Sequence, residues 1–264
     1  MTTAAPHAAA PVEADSIVVR YGRSSTAAVS ELSFTLTQGI NALVGRNGAG
    51  KSTVMNAVVT LQAIQSGRMR VLDAELPLAE GPRRELMRQL GYLPQALGYV
   101  PSFTVTEFVE YAAWLKRVPS AAVPRAAAEA IAAVGLSDRA TSKLGRLSGG
   151  MLRRAGIAMA IAHDPRLLVL DEPTAGLDPE QRIRFRATLR EVAAERCVLI
   201  SSHLIEDVHA VADRVHILEG GRLAFSGSVE QMRAHATDDA EGDSELERAY
   251  TALVARARAR DDSA

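Results

Sequence analysis

Nine consecutive residues carry the clearest chemistry in this 264-residue chain. Gly45, Arg46, Asn47, Gly48, Ala49, Gly50, Lys51, Ser52 and Thr53 fill every fixed position of the G-x-x-x-x-G-K-[ST] phosphate-binding pattern. Glycines let the backbone turn tightly, so that successive N–H groups face a polyphosphate, and a helix leaving the loop adds partial positive charge. Lys51 is then expected to reach the β- and γ-phosphates, and the Ser52 hydroxyl to hold Mg²⁺. A glycine-rich turn that merely precedes a lysine would not need the flanks seen here: an uncharged strand at 39–44 and a helix at 51–59.

Further along, Leu167-Leu168-Val169-Leu170 reads as a strand buried on both faces, followed by Asp171, Glu172 and Pro173. Carboxylates at the carboxyl end of such a strand stand where open parallel sheets bind ligands. Asp171 is placed to hold a Mg²⁺ shell and Glu172 to polarise an attacking water. The segment 197–202 repeats the apolar strand pattern and ends at His203. Leu147-Ser148-Gly149-Gly150 opens a helix at about 151–162, placing a hydroxyl and free N–H groups at a positive helix end. Gln95 follows a strand-like triplet and a proline, and Tyr21 ends a β-prone stretch where its ring can stack on a base or simply pack against the sheet.

The elements that must position these groups follow in order. Segments 16–22 and 28–36 are β-prone and predict an antiparallel pair around a polar turn at 23–26. A strand at 68–72 and a charged helix at 83–90 come next. Thr104-Val105-Thr106-Glu107 has the form of a capping box, and Phe108, Tyr111, Ala112 and Leu115 recur at helical spacing after it. Pro119 and Pro124 interrupt the pattern, 125–134 predicts an alanine-rich helix, and Gly135 is its expected cap. Asp178-Pro179 supplies a cap and first-turn proline for a helix to about Glu195, with Ile183, Ala187, Arg190 and Ala194 as its expected stripe. A hairpin at 214–225, a flexible acidic stretch at 238–247 and a helix at 245–260 complete the reading. Leu246, Tyr250, Leu253, Val254 and Ala257 form that last helix's docking face.

Bulk properties limit the alternatives. A formal net charge of −1 gives no basic field for a large nucleic-acid footprint. No apolar run reaches the ~18 residues that a membrane-spanning helix needs, so none is expected. The first 14 residues hold no Lys or Arg, unlike the charged start of a secretory signal, and are expected to form a loose tail. Cys197 is the sole cysteine, which excludes an internal disulfide and suits a reducing cytosol.

Taken jointly, in this order and spacing, Tyr21, the phosphate loop, Gln95, Leu147-Ser148-Gly149-Gly150, Asp171-Glu172, Asp178 and His203 resemble the nucleotide-binding subunit of an ATP-binding cassette (ABC) transporter. The likeness covers roughly residues 15–235. It implies an α/β P-loop NTPase fold: a mixed core sheet, an N-terminal antiparallel β subdomain and a helical subdomain inserted at about 96–162. Residues 236–264 would follow as an acidic linker and C-terminal helix. The resemblance further implies an ATPase using ATP and Mg²⁺, with Tyr21 stacked on adenine, Gln95 sensing Mg²⁺ and the attacking water, and His203 contacting the γ-phosphate.

A head-to-tail dimer, expected to be a homodimer, would place Ser148, Gly149 and Gly150 across the interface on the partner's nucleotide, with Asp178 near the dimer centre. A separate membrane-embedded permease would be energised from the cytoplasmic face of the membrane, docking on residues 96–111 with Phe103 and Phe108 as contacts. The family's usual Leu-Ser-Gly-Gly-Gln is here Leu-Ser-Gly-Gly-Met, and Met151 has no amide to offer a ribose; methionine there resembles the exporter branch. A soluble ATPase of the same type acting on ribosomes or DNA is the alternative. It lacks support from a second fused cassette, a long coiled coil or a basic charge. A nucleotide-binding scaffold without useful hydrolysis is a further alternative, opposed by the full set of catalytic side chains.

Overall fold

The computed structural model describes residues 10–22 and 26–261. Strand β1 (Val12–Val19) pairs antiparallel with β2 (Val29–Leu36), as expected. β1 begins inside the segment expected to be a tail. Val12 and Ala14 lie opposite Leu36 and Phe34, and all four are buried, so pairing covers apolar surface that a free tail would leave wet. The turn expected at 23–26 falls outside the described residues except for Thr26, and so does the tail before residue 10.

Strand β3 (Gly39–Val44) is buried along almost its whole length and feeds the phosphate loop and helix α1 (Lys51–Val58). Strand β4 (Ser66–Val71) follows, then β5 (Ala74–Leu76), which at three residues is too short to announce itself by periodicity. Helix α2 (Glu80–Arg88) leads into β6 (Leu90–Leu93).

Helix α3 (Val105–Leu115) starts at a complete capping box: Thr104 accepts from the Glu107 N–H while Glu107 accepts from the Thr104 N–H. The helix expected at 125–134 is α4 (Val123–Ala133), with Pro124 in its first turn, where its missing N–H costs no hydrogen bond. Two 3₁₀ turns, Ser137–Arg139 and Leu144–Arg146, separate it from α5 (Gly149–Ile161). Gly91 lets α5 approach β6 closely, because a Cβ there would stand 2.3 Å from the Ala160 carbonyl oxygen.

Strand β7 (Leu167–Leu170) and helix α6 (Pro179–Ala193) follow, and here the expected stripe is wrong. Phe185, Leu189, Val192 and Ala193 are the buried residues of α6, whereas Ile183 is 64% exposed. Alanine and an arginine stem lend too little apolar surface to choose the face, and the one large aromatic, Phe185, decides it. The chain ends with β8 (Cys197–Ser202), α7 (Ile205–His209), β9 (Arg214–Glu219), β10 (Arg222–Ser228), α8 (Val229–Arg233) and α9 (Glu245–Asp261). Leu246, Ala249, Leu253 and Val254 dock α9 into the core. The acidic stretch before it is tied down: Asp243 and Ser244 N–H groups donate to Glu247, and Thr251 donates to the Glu241 carbonyl.

Two sheets organise these elements. One is antiparallel, in the order β2-β1-β4-β5. The other is mixed, in the order β10-β9-β3-β8-β7-β6, parallel throughout except for the β9–β10 hairpin. Residues that alternate along β3 and β8 divide between two apolar cores. Leu43, Cys197 and Leu199 pack with the antiparallel sheet and α1, while Ala42, Val44, Val198 and Ile200 pack with the helices α3 to α6 and α9. Among the described residues no helix is long and apolar enough to cross a membrane.

Candidate functional site

Parallel pairing brings the carboxyl ends of four strands to one edge. Val44 lies opposite Ser202, Leu170 opposite Ile200 and Leu93 opposite Leu170. The groups that follow these ends, namely the 45–50 loop, Asp171-Glu172, Ser201 to His203 and Pro94-Gln95, are therefore neighbours. This juxtaposition is a product of the fold, since the segments are up to 158 residues apart when Gly45 is compared with His203.

The loop takes the form its glycines permit. Gly48 and Gly50 have φ of +85° and +101°, and a Cβ on Gly50 would stand 2.8 Å from the Ala28 carbonyl oxygen. The loop thus closes on the antiparallel sheet, and no larger residue fits there. Lys51 is 5% exposed; its Nζ donates to the carbonyls of Gly45 (2.7 Å) and Arg46 (3.1 Å) and stands 3.6 Å from Glu172 Oε1. A cavity of about 540 Å³ opens over Arg46, Asn47, Gly48 and Ala49 and is closed on its far side by His203, Glu219 and Gly220.

Glu172 is buried and has φ of +47°, a left-handed conformation that is uncommon without glycine. That backbone turns its carboxylate back between a lysine and a histidine: Oε1 faces Lys51, and Oε2 is 2.7 Å from His203 Nδ1. Ser201 holds the turn. Its hydroxyl accepts from the Glu172 N–H at 2.7 Å and donates to Asp171 Oδ1 at 2.6 Å. Among the described residues no cation pairs with the Asp171 carboxylate, although it is only 2% exposed. Burial, and secondarily the Asp171 charge, push the nearby Tyr92 phenol up to about 12.

Tyr21 donates to or accepts from Thr53 in the first turn of α1, at 3.0 Å, and keeps 49% of its surface exposed beside the loop. Ser52 is half-buried in the same turn. Gln95 is exposed just past β6. Ser148, Gly149, Gly150 and Asp178 are not part of this cluster. Ser148, Gly150, Met151 and Asp178 line a second cavity of about 210 Å³, which shares no residue with the first. Ser148 caps α5 and Asp178 caps α6, accepting from the N–H groups of Met151 and Gln181.

Two residues escaped the sequence reading. Ser201 left only a faint signal, a hydroxyl closing an otherwise apolar strand. Arg153 left a clearer one: on α5 it shares the face of Gly150 and Ile157, at three- and four-residue spacing, where a charged side chain has to find partners inside.

Chemically, one edge of the sheet offers a lysine, N–H groups of a tight loop and a helix N-terminus to a polyphosphate, with a buried carboxylate and a histidine beyond it. Comparisons with known proteins agree with that reading. Residues 29–175 match the family model described as "ABC transporter". An ABC transporter ATP-binding protein of Bacillus subtilis, YxlF, is 32% identical over 207 residues, 78% of this chain and 68% of that protein. The linearmycin resistance ATP-binding protein LnrL of the same organism is 31% identical, over 82% of this chain and 69% of its own length. The methionine import ATP-binding protein MetN 2 of Pectobacterium atrosepticum is 36% identical, over 78% of this chain and 62% of its own length. Among solved structures, an ATP-binding subunit of an ABC transporter superposes with a TM-score of 0.74 at 26% identity, covering 84% of this chain and 92% of that one. A dimeric bacterial ABC transporter cassette shares the fold with a TM-score of 0.75 at 21% identity, covering 82% of this chain and 98% of that one.

Proposed function

From the premise that the chain belongs to the ABC transporter family, as an ATP-binding ATPase that energises transport, we propose that it drives export through a separate membrane-embedded permease. The observation that carries the catalytic part is Glu172, held buried between Lys51 and His203 at the sheet edge. In this reading Lys51 exchanges Glu172 for the β- and γ-phosphates. Glu172 then accepts a hydrogen bond from the attacking water, and His203 turns its ring toward the γ-phosphate. Arg46, Asn47, Gly48, Ala49, Gly50, Ser52 and Thr53 surround the phosphates, and Tyr21 stacks on the adenine.

The donors present fit Mg²⁺. They are all oxygens, from the Ser52 hydroxyl, the Asp171 carboxylate and the Gln95 amide, and among the described residues the buried Asp171 carboxylate forms no salt bridge. When bound, the ion supplies positive charge to the phosphate oxygens. Ser201 occupies Asp171 Oδ1, so that Oδ2 is the oxygen left for the ion.

The separation of the two cavities supports a head-to-tail dimer of two copies. Ser148, Gly149 and Gly150 are far better placed for a partner's nucleotide than for one on their own loop, and Asp178 lies beside them. Export, not import, is the proposed direction, on the strength of Met151 in the signature; a Nod factor export ATP-binding protein of Rhizobium etli is 33% identical, although methionine importers are as similar.

The permease surface needs revision from the sequence reading. Phe108 is 7% exposed and so is not available as a docking contact, whereas Phe103 is half-buried and meets Tyr111 edge-on at 6.3 Å. Exposed instead are Tyr99, Val100, Tyr111, Trp114 and Leu115, with Tyr111 stacked on Trp114 at 6.0 Å. The test uses the Glu172→Gln chain, purified from its own cells with ATP and Mg²⁺, with and without Trp114→Glu. A polytopic membrane protein lacking a cassette of its own is expected to co-purify and to be lost with Trp114→Glu while ATP binding is retained. Ribosomal or DNA-bound proteins, with no permease, would overturn the transporter reading in favour of the soluble ATPase.

A further inference from the structure

Arg153 is a buried cation held by four backbone carbonyls and has no part in the chemistry set out so far. It is 9% exposed. Its Nη1 donates to the carbonyls of Pro94 (2.9 Å) and Gln95 (3.1 Å), its Nη2 donates to the Asp171 carbonyl, and its Nε reaches the Pro173 carbonyl at 3.4 Å. One guanidinium therefore ties three segments together: the loop carrying Gln95, the turn carrying Asp171 and Glu172, and the helix α5 that begins at Ser148.

An interior arginine is costly unless its charge and its donors are met. Here burial lowers its proton affinity, and the charges of Asp171 and Glu172 offset that loss. Four backbone carbonyls from two segments, met by one side chain of a third, are an expensive way to build a core. A core with apolar side chains here would avoid burying a charge, whereas methionine at this one position would leave the carbonyls without their donor. What the arginine adds is geometry, because its planar fork fixes the directions of several acceptors at once. The acceptors are backbone atoms of the residues whose side chains face the ligand, so a shift of α5 or of the Gln95 loop is transmitted to the Asp171-Glu172 turn through this one group.

We propose that Arg153 is a positioning residue for ATP hydrolysis, locking the Gln95 loop and the start of the signature helix to the Asp171-Glu172 turn. The proposal rests on the catalytic reading of Glu172 given above. The hydrogen bonds of Arg153 go to the 94–95 and 171–173 segments and not to the phosphate loop or Tyr21, so its reach is to the placement of the carboxylate and not to nucleotide capture. Misplacing a catalytic group by about an ångström can cost two orders of magnitude in rate.

The test compares Arg153→Lys and Arg153→Met with the parent chain, full length, in two assays: binding of a fluorescent ATP analogue and steady-state phosphate release with ATP and Mg²⁺. Lysine keeps the charge but cannot fork to the carbonyls of both segments. The expected result is a fall in kcat of about ten-fold or more for Arg153→Lys and further for Arg153→Met, with the Kd for nucleotide within about two-fold of the parent. An unchanged kcat in Arg153→Lys overturns the proposal. So does a parallel collapse of binding and kcat in both variants with a lowered Tm, which identifies a purely structural arginine. If Arg153→Met fails to fold, Arg153→Lys decides alone on the same criteria. Absence of phosphate release from the parent chain would instead count against the catalytic reading of Glu172 itself.

Discussion

Glu172 is the residue whose surroundings say most about what the site does. A carboxylate with one oxygen toward a lysine and the other toward a histidine, on a backbone turned left-handed, is held in place by more than its own preferences. Not every histidine is used this way. His216 is wholly buried, bonds Ser226 through Nδ1, meets Phe34 edge-on and leaves Nε2 without a partner; burial, and then the charge of Arg214, bring it down to about 4. The unfolded chain takes up a proton near pH 6.5 that the folded chain refuses until about 4. Stability from this group is thus complete above pH 6.5 and falls as pH drops toward 4, by up to about 3 kcal/mol. Urea titrations from pH 7.5 to 4.5 should show a decline that His216→Leu makes shallower. An identical slope in that variant would contradict the buried neutral imidazole.

At the scale of elements, the sequence was most readable where one pattern had one structural solution. The strand 39–44, the capping box at Thr104 and the caps at Ser148 and Asp178 stand where the residue types put them. The readings that failed rested on patterns with two solutions. Alanine at helical spacing does not choose a face, so α6 was turned the wrong way. Strand β5 is shorter than the period that would reveal it. The docking face of α9 was legible because Leu246, Leu253 and Val254 are large and the opposite face is charged. Leu253→Ala is expected to cost about 2 to 5 kcal/mol in urea unfolding. A change below about 1 kcal/mol would mean that α9 is not packed as described.

For the molecule as a whole, the phosphate loop and the carboxylate pair could be read singly from local strings, but their meeting could not. It depends on the strand order β3-β8-β7-β6, in which segments distant in the chain end at one edge. Ser201 and Arg153 were missed for the same reason, since each acts on a neighbour that only the sheet supplies. The separation of Ser148 and Gly150 from the loop cavity is likewise invisible in one dimension, and it makes a second copy part of the proposed working unit. The most direct measurement is phosphate release from ATP and Mg²⁺ by the parent chain and by Glu172→Gln, alongside binding of a fluorescent ATP analogue to each. The expected result is a fall of about a hundred-fold or more in turnover, as for loss of a general base, with nucleotide affinity retained. Equal turnover in the two proteins would remove Glu172 from catalysis and with it the central claim.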